Sequence, residues 1–289
     1  MGYQTVNPYD NQVVASFEDL TDEQVTKLLA QAQKTFESWS QKTFLERAEV
    51  CWRAAMILRE RPDEFARLLT LEMGKLYAES LGEVELTAQI FDYYADNAET
   101  FLAPELPDTA SSDGDAVVVS SPLGVILGIQ RWNFPFYQLA RVAAPNLMAG
   151  NVVMVKHASN VPQAAAAFAV LLAEAGAPQG AYTNLFATKD QIKMLIDDPR
   201  VRGVALTGSE GAGSVVAARA GKNLKKSTME LGGSDALIAL ADCDLDKTVE
   251  WAVHGRIFNG GQCSKRIVVV DEIADLATNG LQMTLPNRV

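Results

Sequence analysis

A cysteine in the carboxyl-terminal part of the sequence has neighbours that suit a catalytic nucleophile. Cys263 lies in the segment FNGGQCSKR, residues 258–266, after an Asn-Gly-Gly-Gln turn and before a basic pair. A thiolate attacks carbonyl carbons readily and forms covalent intermediates with them. The segment therefore indicates covalent catalysis, and the alternative is a cysteine that has lost such a role.

Two other segments contain side chains that suit chemistry at a carbonyl group. In QRWNFPF, Asn133 follows the apolar run VILGI, where it could donate a hydrogen bond to an oxyanion. In MELGGSD, Glu230 precedes a Leu-Gly-Gly turn, where it could act as a general base for water. The alternatives are that Asn133 caps the following helix and that Glu230 is a solvated turn residue.

Two features indicate a phosphate-containing cofactor. The segment TGSEGAG, residues 207–213, follows an apolar run and opens a predicted helix, so a phosphate could approach its backbone amides. It lacks a third glycine and the usual downstream acidic residue, so an ordinary strand-to-helix turn is the alternative. Lys156 ends the run NVVMVK, where its ammonium group could reach cofactor hydroxyls or phosphate; the alternative is a surface lysine.

The elements that must position these residues alternate between apolar strand patterns and helical patterns. The segment AVVVSSPLGVILGI predicts two strands around a Ser-Pro turn, and NVVMVK, YTNLFA, VRGVALT and DALIALAD predict further strands. Helical patterns separate them, which predicts a Rossmann-like α/β fold with a parallel sheet and crossover helices. Such sheets bind ligands at the carboxyl ends of their strands, and the polar segments fall there.

The amino-terminal part is predicted to be helical from Thr21 to about Leu102. Thr21 and Gln24 have the spacing of a capping box, and Pro62 interrupts the helical pattern. The polar segment LPDTASSDGD then predicts a connector to the alternating region.

Composition excludes several classes of partner. The 289 residues include 36 acidic and 25 basic side chains, and the net charge of −11 argues against nucleic acid and anionic membranes. No apolar stretch has membrane-spanning length, and the first residues lack the pattern of a signal peptide. Three widely spaced cysteines make no disulfide framework, so we expect a cytoplasmic protein. Two separated histidines predict no metal site.

Taken in order, the segments resemble the aldehyde dehydrogenase superfamily over about residues 5–275. The resemblance rests on SPLGVILGIQRWNFP, PNLMAGNVVMVKHAS, TGSEGAG, MELGGSD and FNGGQC. The segments KHASN, ELGGSD and DCDLDKTV are most similar to the succinate-semialdehyde dehydrogenase branch.

The resemblance implies a mechanism and a role for each residue. A cysteine thiolate, here Cys263, attacks the aldehyde, and Asn133 with a backbone amide holds the oxyanion. Hydride passes to a nicotinamide and leaves a thioester, which Glu230 hydrolyses by activating water. The residues expected to bind the cofactor are Trp132, Lys156, Ser159, Gly208, Ser209, Gly213 and Leu231.

Several positions depart from the family pattern. Arg131 and His157 replace prolines that are usual before WNFP and after the lysine. Ser159 stands where strictly NAD-dependent members often carry a glutamate that would repel a 2′-phosphate, so we expect either NAD or NADP as cofactor.

The nucleophile segment departs most. The family pattern places the cysteine two residues after Gly-Gln and separates it from the basic pair by three residues. In GQCSKR, counting forward from Gln262 reaches Ser264, and counting back from Lys265 reaches Gly261, so Cys263 meets neither count. About three residues are missing relative to the family pattern. Because a thiol must lie roughly 3–3.5 Å from the carbonyl carbon to attack it, this shortening argues against an active Cys263.

We therefore expect a carboxyl-terminally truncated family member with three parts. Residues 1–110 form the helical part of the cofactor domain, 111–238 its Rossmann-like core, and 239–289 the start of a catalytic domain. One hypothesis is oxidation of an aldehyde, succinate semialdehyde, in a family whose full-length members are homo-oligomers. The alternatives are a catalytically dead nucleotide-binding fragment and an unrelated Rossmann-type binding module.

Overall fold

A computed structural model describes residues 2–107, 116–258 and 265–284. The chain divides into two compact units, one ending at Leu231 and one starting at Gly232. The three-part domain division expected from the sequence stays a prediction. Among the described residues, no helix combines the length and the apolar character needed to cross a membrane.

The first unit begins with an antiparallel hairpin, β1 (Tyr3–Val6) and β2 (Val13–Phe17). The sequence patterns did not predict this hairpin. Four helices follow it: α1 (Asp22–Trp39), α2 (Phe44–Glu60), α3 (Pro62–Met73) and α4 (Tyr77–Phe101).

The predicted starts and interruptions of these helices are confirmed. The Thr21 hydroxyl accepts a hydrogen bond from the Gln24 amide at 3.2 Å, and the Gln24 carboxamide oxygen accepts one from the Thr21 amide at 2.8 Å. This reciprocal capping box satisfies two helix-start donors. Pro62 occupies the first position of α3, where its missing N–H costs no hydrogen bond.

Five parallel strands form the sheet of this unit. They are β3 (Val125–Ile129), β4 (Val152–Lys156), β5 (Tyr182–Asn184), β6 (Val201–Thr207) and β7 (Lys226–Glu230). The helices between them are α5 (Pro135–Met148), α6 (Pro162–Glu174), α7 (Lys189–Asp197) and α8 (Glu210–Lys222). The spatial order is β5-β4-β3-β6-β7, which confirms the Rossmann-like parallel sheet.

This strand order creates a crevice between β3 and β6. The chain adds β4 and β5 on one side of β3 and then returns to add β6 and β7 on the other side. In open α/β sheets, ligands bind at the carboxyl ends of the strands where the order reverses in this way.

The core lies around the two central strands. All residues of β3 and β4 except the last of each are buried, as expected for strands covered on both faces. The aromatic side chains Phe91, Phe136 and Phe168, from three different helices, are fully buried.

One predicted strand is wrong. The segment AVVVSSPLGVILGI forms only β3, and the described residues before it form a single bridge between Val118 and Glu105. Val117, Val118 and Val119 are more than half exposed, so their β-branched side chains find no core to pack against.

The second unit contains a parallel strand pair and two helices. The strands are β8 (Ala236–Ala239) and β9 (Arg266–Val269), and the helices are α9 (Leu245–Ile257) and α10 (Ala274–Thr284). A short 3₁₀ turn, Asp271–Ile273, precedes α10. The two helices pack closely, because a Cβ added to Gly280 would lie 2.9 Å from a methyl group of Val249.

Candidate active site

The loop between β3 and α5 carries Trp132 and Asn133. Asn133 is only 8% exposed, and its side-chain oxygen Oδ1 has no hydrogen-bond partner among the described residues. The residue that caps α5 is Phe134, which makes no side-chain cap bond. The helix-capping interpretation of Asn133 is therefore wrong. Trp132 is half-buried and packs against the core.

A carboxylate and a guanidinium lie at the same edge of the sheet. Glu230 ends β7, and its Oε1 lies 3.1 Å from Nη2 of Arg141 in α5. Both groups border a cavity of about 210 Å³, which Gln130 and Thr207 also line. Gln130 follows β3 and Thr207 ends β6, the two strands on either side of the crevice. Glu230 thus ends a strand and is ion-paired, so it does not lie in a turn, but its side chain is exposed to solvent as the alternative expected.

Lys156, the last residue of β4, lies in a second cavity. Its ammonium group donates to the His157 carbonyl oxygen at 3.0 Å and lies 5.2 Å from the centre of the Tyr3 ring. Burial, followed by the positive charge of Lys189, lowers the pKa of Lys156. The side chain is half-buried, so the surface-lysine alternative is wrong.

This second cavity has a volume of about 320 Å³, apolar walls and several cations. The apolar walls suit a flat organic ring, and the cations suit a negatively charged group. The residues that line it are Ile129, Lys156, Lys189, Ile192, Lys193, Ile196, Leu206, Ala212, Val215, Val216 and Arg219.

The segment TGSEGAG connects β6 to α8. Ser209 caps α8, because its hydroxyl accepts from the Ala212 amide at 3.3 Å. The Gly208 amide donates to the Glu230 carbonyl at 3.0 Å and is thus committed to the sheet. The amides of Glu210 and Gly211 have no partner among the described residues, so the positive end of α8 keeps two free donors.

The other predicted cofactor residues surround this segment. Gly213 is buried against Leu231, because an added Cβ would lie 2.5 Å from a Leu231 methyl group. Ser159 is exposed, and its carbonyl oxygen accepts from the Gln4 amide at 3.0 Å. Cys263 and Ser264 lie outside the described residues. The roles assigned to all these residues stay predictions.

Arg141 and Lys189 line the two cavities but belong to none of the sequence segments that predicted the site. Arg141 lies about two helical turns after Asn133, so its spacing on a predicted helix could have indicated it. Lys189 begins α7, just beyond β5, at the edge where a parallel sheet gathers its polar residues. Neither residue belongs to a motif that indicates its position by itself.

The sequence and the structure were compared with known proteins. Residues 1–287 match the aldehyde dehydrogenase family. The chain therefore belongs to the aldehyde dehydrogenase family. The resemblance seen in the sequence is confirmed, and the hypothesis of an unrelated Rossmann-type module is wrong.

Two relatives in the aldehyde dehydrogenase family are similar in sequence to this chain over nearly its whole length. Succinate-semialdehyde dehydrogenase [NADP(+)] of Deinococcus radiodurans is 46% identical over 98% of this chain and 59% of the relative. A probable enzyme of the same name from Synechocystis is 43% identical over 95% of this chain and 61% of the relative.

A solved structure is similar to this chain in both sequence and fold. Succinic semialdehyde dehydrogenase from Streptococcus pyogenes, in complex with NADP+, is 42% identical with a TM-score of 0.96. The match covers 99% of this chain and 63% of that one. The chain thus spans about 60% of the length of the curated relatives that it matches.

Proposed function

We propose that this chain carries the site of an NADP+-dependent oxidation of succinate semialdehyde to succinate. The observation that supports the proposal most is the edge of the sheet around the crevice. There, the loop of Asn133, the carboxylate of Glu230 and the cavity of Lys156 lie at the carboxyl ends of β3, β7 and β4, three strands of one sheet. These are an oxyanion donor, a base and a cation for a nucleotide.

The second cavity fits the adenosine half of NADP+. Its apolar walls suit the adenine ring, and Lys156 and Lys189 supply two positive charges for the phosphate on the ribose. Neither lysine forms an ion pair with another described residue. Ser159 brings no negative charge, and the free amides of Glu210 and Gly211 suit the pyrophosphate. When bound, the nicotinamide ring accepts a hydride from the substrate.

Arg141 supports an acidic aldehyde as the substrate. Its guanidinium group borders the cavity of Glu230 and is 38% exposed, so a carboxylate can reach it. Guanidinium groups bind carboxylates in a bidentate manner, and succinate semialdehyde carries a carboxylate at the end opposite its aldehyde. The substrate carboxylate would replace that of Glu230 on Arg141 and leave Glu230 available as a base.

Three residues carry the proposed chemistry. The Cys263 thiolate attacks the aldehyde carbon, and the side-chain amide of Asn133 donates a hydrogen bond to the oxyanion. Asn133 suits this role because the core holds it and no helix cap occupies it. Glu230 then removes a proton from the water that hydrolyses the thioester.

A second candidate function is binding of the dinucleotide without turnover. The spacing in GQCSKR favours this candidate, because Cys263 is displaced from the family position in both directions of counting. Homo-oligomerisation, known for full-length members of the family, also stays a prediction for this chain.

Two measurements on the purified chain separate these functions. Absorbance of NADPH is followed after NADP+ and succinate semialdehyde are added, and calorimetry measures the binding of NADP+ and of NAD+. Turnover that Cys263→Ala abolishes and Cys243→Ala preserves supports the oxidation. Saturable NADP+ binding without turnover supports the binding function, and failure to bind either dinucleotide contradicts both.

A further inference from the structure

Two helices of the sheet begin in the same unusual way. Both α5 and α6 have proline at their first position, Pro135 and Pro162, and neither has a side-chain cap on the preceding residue. The first four amides of any helix lack a partner within the helix; proline removes one of these donors, and the amides that follow it still need acceptors from elsewhere. Each helix receives an acceptor from a glutamate that is distant in the sequence.

Glu83 of α4 supplies the acceptor for α5. Its Oε1 accepts from the Phe136 amide at 2.9 Å and from the Tyr137 amide at 3.1 Å. Its Oε2 pairs with the ammonium group of Lys75, and both side chains are at most 1% exposed. That ammonium group also lies 3.8 Å from the centre of the Phe134 ring, in the loop before the helix.

Glu72 of α3 supplies the acceptors for α6. Its Oε1 accepts from the Gln163 amide and its Oε2 from the Ala164 amide, both at 2.8 Å. The Thr5 hydroxyl of β1 donates to the same carboxylate at 2.5 Å. Glu72 is 3% exposed, so these bonds replace its contacts with water.

Each glutamate thus fixes the far end of one functional loop. The loop that ends at the Glu83 cap carries Trp132 and Asn133, and the loop that ends at the Glu72 cap follows Lys156, the last residue of β4, and carries Ser159. Three bonds hold each carboxylate, and charge-assisted bonds to backbone amides are short and directional. The start of each helix therefore has one position relative to α3 and α4.

We propose that Glu83 and Glu72 are positioning residues with separate tasks, a role that rests on the proposed function. Glu83 sets the loop that presents Asn133 to the substrate. Glu72 sets the loop that follows Lys156 and carries Ser159, beside the adenosine phosphate of the cofactor. Neither glutamate touches either ligand itself.

The test compares Glu72→Gln with Glu83→Gln in the full chain. In Glu72→Gln, the carboxamide NH₂ faces a backbone N–H, so one bond to the start of α6 is lost. We expect the affinity for 2′,5′-ADP to fall about tenfold, which corresponds to the free energy of one charge-assisted hydrogen bond. Glu83→Gln should leave this affinity within about twofold, because its loop lies on the nicotinamide side. Amide exchange should rise at residues 163–164 in the first variant and at 136–137 in the second.

A spectroscopic readout completes the comparison. In the chain labelled with 5-fluorotryptophan, the ¹⁹F resonance of Trp132, assigned with Trp132→Phe, should shift in Glu83→Gln and not in Glu72→Gln. If the lone ammonium of Lys75 unfolds Glu83→Gln, the double variant Lys75→Met/Glu83→Gln restores the cap without a buried charge. The double variant Lys75→Met/Glu83→Leu keeps the shape of the two side chains but has no acceptor for the amides of α5. It should therefore not restore the ¹⁹F resonance of Trp132.

The outcomes separate this proposal from the proposed function. Equal loss of 2′,5′-ADP affinity in both variants, with exchange raised throughout the chain, shows a general stabilising role and overturns the positioning roles. An unsubstituted chain that ignores 2′,5′-ADP contradicts the proposed function. In that case the exchange pattern and the Trp132 resonance still decide whether each glutamate sets its own loop.

Discussion

Lys156 and Lys189 face the same cavity, and the charge of Lys189 adds to burial in lowering the pKa of Lys156. Two like charges in one cavity repel each other until an anion lies between them. We expect Lys189→Met to weaken NADP+ binding about tenfold and to leave NAD+ binding almost unchanged, since only NADP+ carries the extra phosphate.

Calorimetric titration of both dinucleotides checks this expectation. Lys193→Met is the matched control, because Lys193 lines the same cavity but is paired with Asp190 at 2.7 Å. Equal weakening of NAD+ and NADP+ by Lys189→Met would contradict a role in recognising the phosphate.

The lowered pKa of Lys156 predicts a pH dependence of NADP+ binding. Its ammonium group loses its proton at a lower pH than a free lysine, whose pKa is about 10.4. Because the phosphate prefers the charged form, affinity should fall as the pH rises through this lowered pKa. Lys156→Arg keeps its charge and should flatten the curve, which titrations at increasing pH would show.

His157 predicts a loss of stability on acidification. The ring is 1% exposed, and burial lowers its pKa to about 4, an effect that the backbone carbonyl groups of Gln130 and Pro135 oppose. Between the unfolded pKa of about 6.5 and the folded one, only the unfolded chain takes up the proton, so the free energy of unfolding falls by about 3 kcal/mol as the pH falls. Above pH 6.5 this loss is absent.

Urea denaturation across this pH range measures the effect. His157→Leu cannot bind a proton and should lose about 3 kcal/mol less than the unsubstituted chain between pH 7 and pH 4. His254→Gln leaves the buried ring of His157 in place, so this control variant should keep the decline in the free energy of unfolding. Parallel curves for the His157→Leu variant and the unsubstituted chain would be inconsistent with a buried neutral histidine.

Two glycines predict opposite effects of alanine. Gly180 has a φ of 95°, and an added Cβ would lie 2.8 Å from the Thr35 hydroxyl and 3.0 Å from the Gln31 carbonyl oxygen. Gly180→Ala should therefore cost about 2 kcal/mol. Gly82 lies on the exposed face of α4 with no atom within 4 Å of an added Cβ, so Gly82→Ala should stabilise by about 0.5–1 kcal/mol. Thermal denaturation compares them.

Arg141 predicts the selectivity for acidic ligands. Arg141→Leu removes the guanidinium that faces the cavity of Glu230, so affinity for succinate should fall about tenfold or more. Binding of NADP+ serves as the internal control and should stay the same. Calorimetry with succinate requires no turnover, and undiminished succinate binding would remove the argument for an acidic aldehyde.

Local patterns in the sequence predicted most of the fold. Alternation of apolar runs and helical patterns located β3, β4, β6 and the helices between them. The patterns of β3 and β4 are nearly all apolar because these central strands are buried on both faces. The capping box at Thr21 fixed the start of α1. The valines before β3 were misassigned, because β-branched residues favour a strand only where a partner strand and a core are present.

Contacts between distant residues could not be predicted in this way. The bond from the Phe136 amide to Glu83 joins residues 53 apart, and that from the Gln163 amide to Glu72 joins residues 91 apart. Both glutamates lie in helices whose local pattern gives them no special place. Similarly, Lys189 becomes a neighbour of Lys156 only once β4 and β5 are paired.

The distant glutamate caps also bear on how the two loops can evolve. Proline stiffens a loop through its own ring, and this chain has Arg131 and His157 where the family usually has proline. Here the carboxylates of two neighbouring helices, those of Glu83 and Glu72, hold the ends of the two loops in place. A substitution inside either loop therefore leaves in place the carboxylate bonds that hold the start of the next helix.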